Sequence, residues 1–138
     1  MKIVVGFGND LRGEDAFGVD VISKLQDYNL ENTKLISTFQ LTPELSLELK
    51  GATKLIFIDA AFNQDYNYAL GCSLEEIKQN QLSHHISIKT IIMILERLYD
   101  TKPEYELYSM FTNNFDEVID KKRYKESLKK VVDFVKNS

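Results

Sequence analysis

A chain of 138 residues, 43% apolar and 28% charged, has enough material for one globular domain with a real core and too little for two. Its formal net charge of −4 excludes the electrostatic footprint of a nucleic-acid binder, and acidity of this size mainly aids solubility. No apolar run is long enough to span a bilayer, the N-terminus shows no secretory pattern, and the single cysteine, Cys72, excludes an internal disulfide and a cysteine-rich metal site. These features together lead to the expectation of one cytoplasmic domain, residues 1–138.

Lys2 to Phe7 is apolar and rich in β-branched residues, closed by Gly6 and Gly8, and reads as a buried first strand. The polar stretch Gly8 to Asp15 reads as a loop. From Phe17 the periodicity turns helical: Phe17, Val21, Ile22 and Leu25 form one stripe, while Asp20, Lys24 and Asp27 face water. Gly18 sits early in this helix at some cost, which a close backbone approach would explain. Lys34 to Phe39 is expected as a second strand. Thr42 and Pro43 then give a helix start, with Thr42 as the cap and Pro43 at the first helical position.

Lys54 to Ile58 is the clearest strand, a continuous apolar run that ends in Asp59. Asn63 to Tyr68 reads as a polar loop and Ala69 to Leu74 as a further strand, with Cys72 as a small apolar core residue. Ser83-His84-His85 leads into a helix striped by Ile88, Ile91, Ile92, Leu95 and Leu98. Tyr105 to Phe111 alternates as a strand, and Leu128, Val131, Val132 and Val135 stripe the last helix. The lysines of that helix, at 121, 122, 125 and 129, read as solvated surface. Strands alternating with helices imply an α/β fold of three layers: a mainly parallel, twisted sheet flanked by helices on both faces. Ligands of such sheets sit beyond the carboxyl ends of the strands.

That geometry gathers Asp15, Asp59 and His85 as candidates. Two carboxylates and an imidazole suit nickel, zinc, manganese or iron with positions left open. Each also has a plainer role. Asp59 would cap a turn, His85 would lie on the surface, and a helix dipole would account for one of Glu14 and Asp15 but need not account for both. Asp59 stands directly beside apolar residues, so its carboxylate needs a cation, a donor cluster or a metal nearby. Gly6-Phe7-Gly8 invites a dinucleotide reading, but the third glycine of that fingerprint falls on Leu11. A helical two-histidine zinc motif is excluded, since His84 and His85 are the only histidines.

Three stretches resemble the hydrogenase maturation endopeptidases. Val4 to Val19, with Gly6-Phe7-Gly8-Asn9, the acids Glu14-Asp15 and Gly18-Val19, is similar to that family's N-terminal signature. Leu55 to Ala60 resembles its apolar strand ending in Asp-Ala, and Ser83-His84-His85 its Ser-x-His element. The segment Gln40 to Leu45 is similar to one found in some members, where others carry a glycine-rich turn, and the resemblance implies a loop near the same sheet edge that could shape substrate access. Asp10 and Arg12 depart from the usual apolar residues, and the portion after Asp100 matches only vaguely. The resemblance implies a metal-dependent endopeptidase that removes a C-terminal peptide from the nickel-loaded precursor of a hydrogenase large subunit. Asp15, Asp59 and His85 would be its catalytic, metal-engaging residues. The nickel would arrive with that protein partner, and neither nucleic acid nor membrane would be involved. A nonenzymatic metal- or metalloprotein-binding maturation chaperone would use the same ligands.

Overall fold

The computed structural model describes residues 1–9, 11, 13–62, 68, 70–71, 82–115, 117–118 and 120–138, with residues 62 and 82–87 described by backbone alone. The β-branched run Lys2–Phe7 forms β1, and Thr33–Thr38 forms β2 beside it in parallel. Between them lie a 3-10 turn, Gly13–Ala16, and helix α1, Phe17–Leu25. The anticipated stripe of Phe17, Val21, Ile22 and Leu25 is buried. A second 3-10 turn at Pro43–Leu45 opens with proline and continues into the short α2, Ser46–Leu49. Thr42 precedes it in extended conformation, but its side chain makes no capping hydrogen bond.

β3 spans Lys54–Phe62 and pairs in parallel with both β1 and β5, Glu104–Thr112. The strand does not stop at Ile58. Its ladder to β5 runs on through Phe62 opposite Thr112, so Asp59 lies within the strand rather than at its end. β4 is the short Leu70–Gly71, antiparallel to β5. Of the expected strand Ala69 to Leu74, residues 69 and 72–74, including Cys72, lie outside the described residues. Helix α3, Leu82–Leu98, crosses back before β5, and helix α4, Lys121–Lys136, closes the chain.

The sheet order is β2-β1-β3-β5-β4. Alternation along the strands feeds two apolar clusters, one on each face. Val5, Phe7, Leu55, Phe57, Leu107 and Phe111 pack with Leu49 of α2 and Ile88, Ile91 and Leu95 of α3. Val4, Ile56, Ile58 and Met110 pack on the other side with Phe17 and Val21 of α1 and Val131, Val132 and Val135 of α4. The three-layer α/β architecture expected from the sequence is therefore present. β1 has β2 on one side and β3 on the other, so the strand order reverses about β1. Crossovers diverge at that point, and a crevice opens at the carboxyl edge.

Candidate active site

The end of β1 is built by close backbone approach. A Cβ on Gly6 would lie 2.1 Å from the Gly18 carbonyl oxygen, and one on Gly18 would lie 2.3 Å from the Ile58 oxygen. Only hydrogens fit between these backbones, so α1 sits directly on β1 and β3. Gly8 then turns with φ +148°, a conformation that L side chains rarely adopt, and a Cβ there would meet the Asp15 carbonyl oxygen at 2.1 Å. The 3-10 turn carrying Asp15 is thus seated on the chain as it leaves β1. Asp15 is half-buried, with Oδ1 over Gly8, 3.7 Å from where that Cβ would be. Its backbone N–H donates to the Phe115 carbonyl at 3.3 Å.

Asp59 is 1% exposed, in a strand otherwise apolar on that face. Period-two alternation puts it on the side of Leu55, Phe57 and Ala61, the face covered by α2 and α3. Its partner in the parallel register is Ser109, whose hydroxyl donates to Asp59 Oδ1. The donor that a buried carboxylate demands comes from the neighbouring strand. Sequence reasoning missed Ser109. The signal was faint but present: Ser109 interrupts the inward-facing series Leu107, Ser109, Phe111, as Asp59 interrupts Phe57, Asp59, Ala61.

The sequence leaves the role of Glu14 open between a helix dipole and a further function, and the structure gives it a buried one. It is fully buried, with the Tyr68 hydroxyl donating to Oε2 and the Thr112 hydroxyl donating to Oε1. Tyr68 is itself fixed from several sides. Its N–H donates to the Phe111 carbonyl at 2.7 Å, and its carbonyl accepts from the Ser127 hydroxyl at 3.0 Å. Its phenol oxygen accepts from the Asp120 N–H at 2.8 Å, and the Arg123 guanidinium stands 5.1 Å from its ring centroid. Burial, reinforced by the hydrogen bond to Glu14, raises the Tyr68 phenol above its ordinary value, so it stays a donor.

His85 belongs to the first turn of α3, and its imidazole lies outside the described atoms. A helix of 17 residues is about 25 Å long, enough to run the length of the sheet face. Its C-terminal end is tied near the start of β3, where Thr101 donates to the Lys50 carbonyl at 2.9 Å. Its first turn is therefore carried toward the carboxyl edge, on the face that holds Asp59. Among the described residues, no three His, Cys, Asp or Glu side chains are grouped to hold a metal ion. Two carboxylates at the edge, Asp15 and Asp59, are what the described atoms supply. Beside Asp15 lies a cleft of about 220 Å³ lined by Gly8, Val19, Ser37, Thr38 and Phe39. Phe39, 64% exposed, forms its lip.

The fold and the edge define a class: an open, mainly parallel α/β sheet with one acid in the turn after β1 and another in the neighbouring strand β3. Its likeness among solved structures is more particular. The hydrogenase maturating endopeptidase HybD from E. coli superposes with a TM-score of 0.80 over 97% of this chain and 88% of that one, at 17% identity. The [NiFe] hydrogenase maturation protease HybD from Thermococcus kodakarensis gives 0.77 over 99% and 97%, at 16% identity. The protease HycI from the same archaeon gives 0.71 over 99% and 90%, at 17% identity. This chain has the fold of the hydrogenase maturation endopeptidases. No protein-family model and no curated protein sequence matches it.

Proposed function

We propose that the chain is an endopeptidase of the hydrogenase maturation type, removing the C-terminal peptide of a nickel-loaded hydrogenase large-subunit precursor. The observation that carries this reading is the pair of carboxylates at the reversal point of the sheet. Asp15 is seated on the end of β1, and Asp59 is held in β3 by Ser109. The whole-length likeness in fold to proteases of that kind supports it.

In this account Asp15, Asp59 and His85 engage the nickel that the precursor carries, so the metal is part of the substrate. Carboxylate and imidazole suit such an ion. The hydrogen bond from Ser109 fixes the orientation of the Asp59 carboxylate before the precursor arrives, so little ordering remains for the binding step. Binding places the scissile amide at the carboxyl edge. Water then adds hydroxide to the carbonyl carbon and a proton to the departing nitrogen, breaking the C–N bond. Among the described residues no helix is long and apolar enough to cross a membrane, in keeping with a protein partner met in solution.

The test is incubation with a purified large-subunit precursor, nickel-loaded or nickel-free, with release of the C-terminal peptide read by mass spectrometry. Cleavage is expected of the loaded precursor only. Asp15→Asn and Asp59→Asn should each lower the rate by about a hundredfold or more, a loss of roughly 3 kcal/mol in transition-state stabilisation. Binding of the loaded precursor without peptide release would favour the nonenzymatic chaperone and overturn the peptidase.

A further inference from the structure

We infer that Glu14 is a positioning residue, whose buried carboxylate clamps the turn bearing Asp15 onto Tyr68 and the end of β5. The inference rests on the peptidase reading for its consequence in catalysis, and on geometry alone for the clamp.

The clamp is strongest with an acid at position 14. The Tyr68 hydroxyl accepts from the Asp120 N–H, so its single proton is committed to Glu14 Oε2. The Thr112 hydroxyl accepts from the Asn114 N–H at 3.1 Å, and its proton has Glu14 Oε1 and, at 3.1 Å, the Asn114 carbonyl as acceptors. Two donors therefore converge on two oxygens of one group. A carboxylate accepts on both, while an amide accepts on one and presents a donor on the other. Replacing Glu14 by glutamine thus removes one acceptor. With the amide oxygen toward Tyr68, the amide N–H meets the Thr112 oxygen, the Thr112 proton turns to the Asn114 carbonyl, and the charge-assisted bond holding the turn to β5 is lost.

The three segments held together are far apart in sequence. Tyr68 is 54 residues from Glu14, and Thr112 is 98 residues away. Two further contacts tie the same turn to the segment between β5 and α4. The Asp15 N–H donates to the Phe115 carbonyl, and a Cβ on Gly13 would lie 2.3 Å from the Cα of Glu117. The side chain that faces the crevice, Asp15, is the immediate neighbour of the one anchored beneath it. A small displacement of Glu14 is passed directly to the Asp15 carboxylate, and misplacement of a reacting group by about 1 Å can cost a hundredfold in rate.

Glu14→Gln is compared with Leu95→Ala, a core truncation in α3 chosen to lower thermal stability without touching the clamp. At a temperature where both are folded, Glu14→Gln should lower kcat on the nickel-loaded precursor by about tenfold or more with KM little changed. Leu95→Ala should keep the wild-type kcat. Independently of any cleavage, amide hydrogen exchange at Asp15 should quicken in Glu14→Gln and not in Leu95→Ala. Unchanged exchange at Asp15, or a kcat that falls equally in both variants, would overturn the clamp. A wild-type protein that cuts nothing would defeat the peptidase reading, and the exchange measurement would still decide whether Glu14 positions Asp15.

Discussion

Gly18 occupies a place where no side chain fits. A Cβ there would approach the Ile58 oxygen to 2.3 Å and the Phe7 nitrogen to 2.7 Å, both backbone atoms that cannot swing aside. Gly18→Ala should raise the local helix propensity and still destabilise the protein by about 3 kcal/mol, since overpacking outweighs propensity. Urea unfolding checks this, and an alanine variant as stable as wild type would contradict it. The sequence carried a hint of this contact, because a glycine inside an amphipathic helix asks for a close neighbour. Asp59 was legible for a similar reason, as an acid beside an apolar run. Its partner Ser109 was not, because the pairing depends on a parallel register between segments 50 residues apart. The role of Glu14 stayed open in the sequence, because a helix dipole is a local explanation for one acid of a pair, whereas the hydroxyls that bind Glu14 come from β5 and from Tyr68.

Elements were read more surely than contacts. Hydrophobic periodicity located β1, α1, β3, α3 and α4, because each is long enough to bury a face and so must display it. Boundaries followed pairing instead. β3 extends through Phe62 because β5 continues beside it, and no local residue announces that. The cap of α4 was also missed. Asp120 is extended, and its Oδ1 accepts from the Arg123 N–H at 3.1 Å, while its own N–H donates to Tyr68. Asp120→Ala should cost about 1 kcal/mol of stability through the lost cap, with the Tyr68 contact kept because it is made by the backbone. Thermal unfolding checks the loss, and an unchanged midpoint would show the cap to be idle.

At the scale of the whole molecule, the order of strands brings the segments that carry residues 15 and 59 to one edge of the sheet. β1 is flanked by β2 and β3, both parallel to it, and the chain leaves β1 and β3 at one edge. The α/β alternation in the sequence implied such an edge without showing which strands would meet there. Two glycine contacts and one serine hydroxyl then set the acids in place. The fold is shared along nearly its whole length with hydrogenase maturation proteases at identities below 20%, so what the comparison shows in common is the architecture.

The most direct test of the site is a crystal of the protein soaked with nickel or cadmium and measured for anomalous scattering. The account predicts a single strong peak at the carboxyl edge of β1 and β3, ligated by Asp15, Asp59 and His85 and abolished in Asp59→Asn. A peak elsewhere, or three well-separated side chains with no metal between them, would contradict it and leave only the fold in common with the proteases.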